Sequence, residues 1–265
     1  MKNRHPVALI LAVIGYSVMI VPIFFVVAIS FNAGDTLTFP PDAVSLRWFA
    51  AALGHERFIS ALLTSLIVAV VATFLGLALG VPAALALARS NIPAKAAIQN
   101  VFFSPLIIPE LVLGAALYQQ LAIPLRLQNY LPVLILGHTI LMLPYAVRVT
   151  GAALANLDGQ AEEAARMLGA SPVRAFFDVT LPMLRPGIFS AALLSFITSF
   201  NNVPLSLLLT KGSTTLPIEM LDYVSQGIDP MIAAMSTIVL AGTVVIAFIA
   251  ERTVGFAQIF GGINK

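Results

Sequence analysis

Residues Glu162–Pro182 read EEAARMLGASPVRAFFDVTLP, a charged, capped, turn-punctuated stretch inside a chain that is otherwise almost continuous hydrocarbon. The order of residues predicts two short helices set at an angle. Asp158, just upstream, is placed to cap a helix whose first turns carry Glu162 and Glu163, where carboxylates suit the positive end of the helix dipole. Arg166 follows Glu162 by one helical turn, so the two are expected to pair. Gly169 supplies a left-handed stop. Ser171 as N-cap and Pro172 as first helical residue then open a second helix through PVRAFFDVT, which Leu181 and Pro182 are expected to end. The unit has a small face, Ala164–Ala165, and an aromatic pair, Phe176–Phe177, that need something to pack on: the chain's own base or another protein.

The surroundings decide where this unit lies. Of 265 residues, 59% are hydrophobic and 10% charged, with mean hydropathy +0.98, whereas soluble domains carry about 25% charged residues. The fold class is therefore all-α and polytopic. A crossing helix needs about 20 apolar residues, and six stretches qualify, at about 7–30, 59–88, 97–118, 131–150, 186–209 and 231–250. The basic start MKNRH precedes an apolar run too long for a signal peptide and followed by no A-x-A site, which reads as a retained first span.

Six spans put both termini on one side, and the basic residues choose it. Lys2, Arg4, Arg89, Lys95, Arg148, Arg166, Arg174, Arg185, Arg252 and Lys265 share one face, against Arg47, Arg57, Arg126 and Lys211 on the other; the positive-inside rule makes the first group cytoplasmic. Residues 151–185 then form the longest cytoplasmic insertion, and the opening stretch is cytosolic. The expected organisation is an N-terminal span with its outer segment (1–58), a core of five spans (59–250) and a cytoplasmic tail (251–265). In the second span GLALG, from Gly76 to Gly80, has the small-xxx-small spacing that lets helices approach closely. In the third, Pro105 and Pro109 are expected to kink or interrupt the helix, which a membrane tolerates where freed carbonyls find partners or a cavity.

Several function classes fall away. The net charge of +2 is small and the basic residues are scattered, so nucleic acid is not an expected partner. There is no cysteine, and His5, His55 and His138 stand far apart without carboxylates at ligand spacing, so no metal site is expected. An intramembrane enzyme needs paired Asp, Ser with His, or H-E-x-x-H in its spans, and none appears. An ion-coupled secondary transporter needs inverted repeats and buried charged sites at mid-membrane; no repeat is seen, and one buried acid, Glu110, is the sole candidate.

Glu163-Ala164-Ala165, then Gly169 after three intervening residues, then Leu181-Pro182 resemble the E-A-A…G…L-P motif of the membrane subunits of bacterial ATP-binding-cassette importers, the type I or MetI-like permeases. The likeness extends over roughly 55–250. SPLIIPELVLG in span three, SF followed by NNVPLSLLLT in span five, and GIDPMIAAMST before span six are similar to the spermidine/putrescine-type branch. The resemblance implies that Glu163 anchors a cytosolic ATPase, that Ala164 and Ala165 allow close approach, that Gly169 sets the angle, and that Ser171, Pro172, Phe176 and Phe177, up to the closing Pro182, form the docking surface. It also implies a second permease, a different chain in most of that branch, two copies of the ATPase and a periplasmic binding protein. No G-x-x-x-x-G-K-[ST] loop occurs here, so ATP and Mg are expected on the partner ATPase and no cofactor in this chain.

Candidate residues of a translocation path are few. Glu110 lies about thirteen residues, roughly 20 Å, into span three, beside the break at Pro109. It borders the cavity, or satisfies the broken helix, or sits at a subunit interface. Asn201 and Asn202 are expected some way into span five, about 100° apart on a helix, one lining the cavity and the other bonding a neighbouring helix. Acidic residues often stand at this position in the polyamine-type branch, which leaves a neutral or zwitterionic solute open. Glu219, Asp222 and Asp229 of the outer segment either meet a binding protein or are simply solvated. His138 and Arg148 read as packing and interface residues.

Overall fold

A computed structural model of the chain describes residues 6–90 and 93–254. The expectations placed on Lys2, Arg4, His5, Lys265 and the tail beyond residue 254 lie outside the described residues. The described chain is helical: α1 (Pro6–Ser30), α2 (Arg47–Gly54), α3 (Glu56–Arg89), α4 (Lys95–Phe103), α5 (Glu110–Leu117), α6 (Leu131–Ala155), α7 (Gln160–Met167), α8 (Pro172–Ala175), α9 (Leu181–Phe200), α10 (Leu216–Gln226) and α11 (Pro230–Val254). Five helical stretches are long and apolar enough to cross a membrane, and α4 and α5 make a sixth span if taken together. The span-three prolines act as expected. Pro105 sits in a single 3-10 turn, Ser104–Leu106, and Pro109 directly precedes α5. The two halves meet at 91°: the chain leaves the helical region at Pro109, where ψ is 128°, and proline has no N–H to continue the ladder.

Span five departs from expectation at both ends. Pro182 does not close a helix: α8, a π turn at Phe176–Thr180 and α9 join into one apolar run, Pro172–Phe200. The Leu181 N–H reaches back to the Phe176 carbonyl, and Pro182 falls in the first turn of α9, the place where a missing N–H costs least. At the far end α9 stops at Phe200. Asn201, Asn202 and Pro204 break it, and the apolar residues that follow fold into a short 3-10 turn, Ser206–Leu208, instead of continuing the span.

The chain divides into two compact units: residues 6–59 with 219–249, and residues 60–218 with 250–254. In the first, Asn32 is fully buried and gathers the segment after α1, donating to the Thr36 carbonyl and Thr38 hydroxyl and accepting from the Gly34 N–H. Asp229 takes the Tyr223 hydroxyl at 2.6 Å and caps Met231. Asp222 accepts from Gln226, and Glu219 is buried.

In the second unit α6 is the central helix. Leu134, Leu141 and Met142 of α6, Leu117 of α5, and Leu205 and Leu209 beyond α9 form the core. Close approach is built in by glycine. A Cβ added at Gly80 of α3 would stand 2.5 Å from that of Ala146, one at Gly76 would stand 3.1 Å from that of Met142, and Gly187 of α9 meets Ala153 in the same way. The GLALG spacing therefore serves the α3–α6 contact. His138, buried on α6, lies 2.7 Å from the Ser199 hydroxyl and 3.1 Å from that of Ser206, tying α6 to the end of α9 and the turn beyond it.

Candidate functional site

The Glu162–Pro182 unit has the first helix and the turn its sequence specifies, while its second helix runs on past Pro182. Asp158 accepts a hydrogen bond from the Gln160 N–H at 2.9 Å and so starts α7. At the other end the Ala170 N–H bonds to the Ala165 carbonyl and the Gly169 N–H to that of Arg166, the paired bonds of a Schellman stop. Gly169 is in the left-handed region, at φ +96°, with open space where a side chain would be. Here backbone conformation, not crowding, demands glycine. The Ser171 hydroxyl accepts from the Arg174 N–H at 3.3 Å, with Pro172 next in line, and Arg174 pairs with Asp178 one turn on. Caps at both sides of the turn leave the two helices little freedom.

What the unit presents outward is an apolar patch beside exposed charges, among them Glu163, Arg166, Arg174 and Asp178. Met167 and Leu168 are about nine-tenths exposed, and Val173 and Phe177 more than half. Phe177 stacks edge-on against the half-buried Phe176, with ring centres 5.2 Å apart. Glu163 and Ala164 are exposed, whereas Ala165 is half-buried.

Glu162 does not pair with Arg166. Both its carboxylate oxygens take the guanidinium of Arg89, the last residue of α3, at 2.5 and 3.2 Å, and the buried Thr180 hydroxyl donates a short hydrogen bond to the same carboxylate. Arg89 also lies over the Phe176 ring at 5.8 Å. The Thr180 and Arg89 hydrogen bonds together hold the Glu162 carboxyl below the ordinary carboxylate range. A planar guanidinium offers two parallel donors to a carboxylate, so the fixed partner outcompetes Arg166, which reaches the same group only along the helix surface. Arg89 and Thr180 were not legible as site residues in the sequence, since the contact spans 73 positions and no local spacing signals it.

Behind this contact is a cavity of about 570 Å³, lined by Lys95, Gln99, Arg148 and Asp158 as well as Arg89, Glu162 and Thr180. Neither Glu110 nor Asn201 nor Asn202 lines it. Two of those three meet elsewhere: the Asn202 amide donates to the Glu110 carboxylate at 2.6 Å while its carbonyl oxygen accepts from the Leu205 N–H at 3.2 Å. Asn202 is buried and Glu110, in the first turn of α5, half-buried. Asn201 is exposed and turns back onto the Ile197 carbonyl of its own helix. The pair thus joins two helix breaks, the start of α5 and the end of α9, and neither asparagine stands inside a helical span.

Residues 76–254 match the family described as binding-protein-dependent transport system inner membrane component. The chain belongs to this family. It is accordingly a membrane-spanning permease subunit of an ABC importer and not an enzyme. Similar permeases include the putrescine transport system permease protein PotI of Escherichia coli K12, 30% identical over 93% of this chain and 90% of that protein. Another is the putative 2-aminoethylphosphonate transport system permease protein PhnV of Salmonella typhimurium LT2, 29% identical over 80% of each. Among solved structures, the fold is shared with a chain of a bacterial ABC transporter that imports alginate, at TM-score 0.70 and 14% identity over 95% of this chain and 98% of that one. It is shared too with a chain of the MetNI methionine transporter, at TM-score 0.63 and 22% identity over 75% and 95%. The permease's inner-membrane setting accords with its apolar spans.

Proposed function

We propose that this permease forms half of the path by which a small solute enters the cell, and that its Glu163–Pro182 unit docks on a separate cytosolic ATPase that binds ATP and Mg. The observation that carries the docking is the exposed apolar face of Met167, Leu168, Val173 and Phe177 on a unit stiffened by a Schellman stop and an N-cap. Apolar surface outside the hydrocarbon is costly to leave in water, and stiffness suits an element that passes on a partner's movement. Glu163, exposed beside this face, is the anchoring acid, with Ala164 and Ala165 permitting close approach. In this reading both termini and the unit are cytoplasmic, in line with the basic residues that flank it.

The partners proposed are a second permease of different sequence, two copies of the ATPase, and a periplasmic binding protein that delivers the cargo. Supporting this, one structural neighbour is a chain of the MetNI methionine ABC transporter, and another comes from a bacterial alginate ABC transporter in complex with an alginate pentasaccharide-bound periplasmic protein. The cargo proposed is a small amino-bearing solute, polyamine-like or of the amino-acid or aminophosphonate type. Supporting it are the similarity to the putrescine and aminoethylphosphonate permeases and the polar Glu110–Asn202 pair at the two helix breaks.

The test is co-purification of the permease with the ATPase of its own transport system. Glu163→Ala and Gly169→Asp, with helical content and elution behaviour of the membrane chain retained, are expected to lose most of the ATPase. Full retention in both, with wild-type ATP-driven uptake, overturns the docking role.

A further inference from the structure

The docking reading leaves open how a movement of the unit reaches the spans. The unit's apolar patch is turned outward, and behind it lies a cavity of about 570 Å³. Its attachment to α3 is polar instead. The Arg89 guanidinium grips Glu162 of α7 with two nitrogens, the Thr180 hydroxyl of the π turn donates to the same carboxylate, and Arg89 covers the Phe176 ring. One carboxylate therefore collects α3, α7 and the root of α9. The side chain of Glu162 is 17% exposed and that of Arg89 44%, so the carboxylate end of the pair is the sheltered one. At about 1.5 Å per residue, the 34 residues of α3 extend roughly 50 Å, well past the roughly 30 Å of hydrocarbon. That length leaves room for Arg89 to stand outside the apolar layer, and its contacts with Glu162 and Thr180 put it at the level of the unit.

Resting on the docking reading, we propose that Arg89, Glu162 and Thr180 are positioning residues that clasp the unit to the end of α3, so that α3 and the unit move as one body when the ATPase moves. Glu162 and its neighbour Glu163 then divide the work, one acid facing inward to α3 and the other outward to the partner.

The chain has no cysteine, so spin labels on cysteines at exposed Ala86 of α3 and exposed Ala161 of α7 report their separation without background. The complex with ATPase is measured nucleotide-free and trapped with ATP and vanadate. Wild type is expected to give one narrow separation, the same in both states. Arg89→Ala, Glu162→Gln and Thr180→Val, with ATPase still bound, are expected to give a broader distribution that shifts when nucleotide is trapped; Arg89→Lys stays near wild type. Variants indistinguishable from wild type in both states overturn the clasp, as does a wild-type separation that itself changes on trapping. Glu163→Ala and Gly169→Asp run alongside keep the two readings apart: full ATPase retention in both, with wild-type uptake, refutes docking, while the label separations still judge the clasp.

Discussion

Glu162 and Glu163 are adjacent and chemically identical, yet a step of about 100° around the helix sends one into a half-buried ion pair with Arg89 and leaves the other in solvent. The Thr180 hydroxyl and Arg89 lower the Glu162 carboxyl's pKa from its ordinary value of 4.5. A lowered carboxyl contributes stability that is present above its unfolded value and lost as pH falls through the folded one. Amide exchange across 160–167, corrected for intrinsic rates, is therefore expected to hold constant near neutral pH and to rise progressively as pH falls through 4.5 toward the lowered folded value. Glu162→Gln should show fast exchange with no such step. The two asparagines differ in the same way. Removing Asn202 strands the Glu110 carboxylate and the Leu205 N–H, so Asn202→Ala is expected to cost about 1–3 kcal/mol. Asn201→Ala should fall within about 0.5 kcal/mol of wild type. Thermal melts in detergent compare the two.

At the scale of elements, glycine and proline set how the helices meet and where they stop. Gly80 leaves no room for a side chain against Ala146, so Gly80→Leu is expected to destabilise by about 1–3 kcal/mol through overpacking. Gly15 on α1, with nothing within 4 Å of an added Cβ, should accept Ala without loss. Both are read by melting temperature. Gly169 differs from either, since its space is open and its φ of +96° is the obstacle. The prolines carry a subtler lesson. Pro182 looks like a stop in sequence but starts α9 after a π turn, and Pro204, together with the asparagines before it, does the terminating instead.

For the whole molecule, the decisive quantity is apolar surface left uncovered. The membrane window of α1 buries none of its residues and that of α6 most of them, so α1 has its faces free for lipid while α6 organises the core. The path itself is proposed to run beside the Glu110–Asn202 pair. In proteoliposomes holding the complete transporter, Glu110→Gln with normal assembly is expected to slow ATP-driven uptake of the cargo, with putrescine and 2-aminoethylphosphonate as probes. Unchanged uptake would assign Glu110 to joining the broken helices alone.

Local chemistry was enough to read much of this permease. The apolar runs, the break at Pro105 and Pro109, the left-handed Gly169 and the Ser171 cap are all dictated within a few residues of themselves, because hydrocarbon length, proline's missing N–H and glycine's freedom at positive φ need no distant partner. What lay beyond reach was every pairing across the chain: Arg89 with Glu162 and Thr180, Glu110 with Asn202, His138 between two serines. Each polar group had several partners open to it by composition. Only the packing of α3, α5, α6 and α9 decided which of them came within a hydrogen bond, and in doing so it replaced the local Glu162–Arg166 pair with one closed over 73 residues.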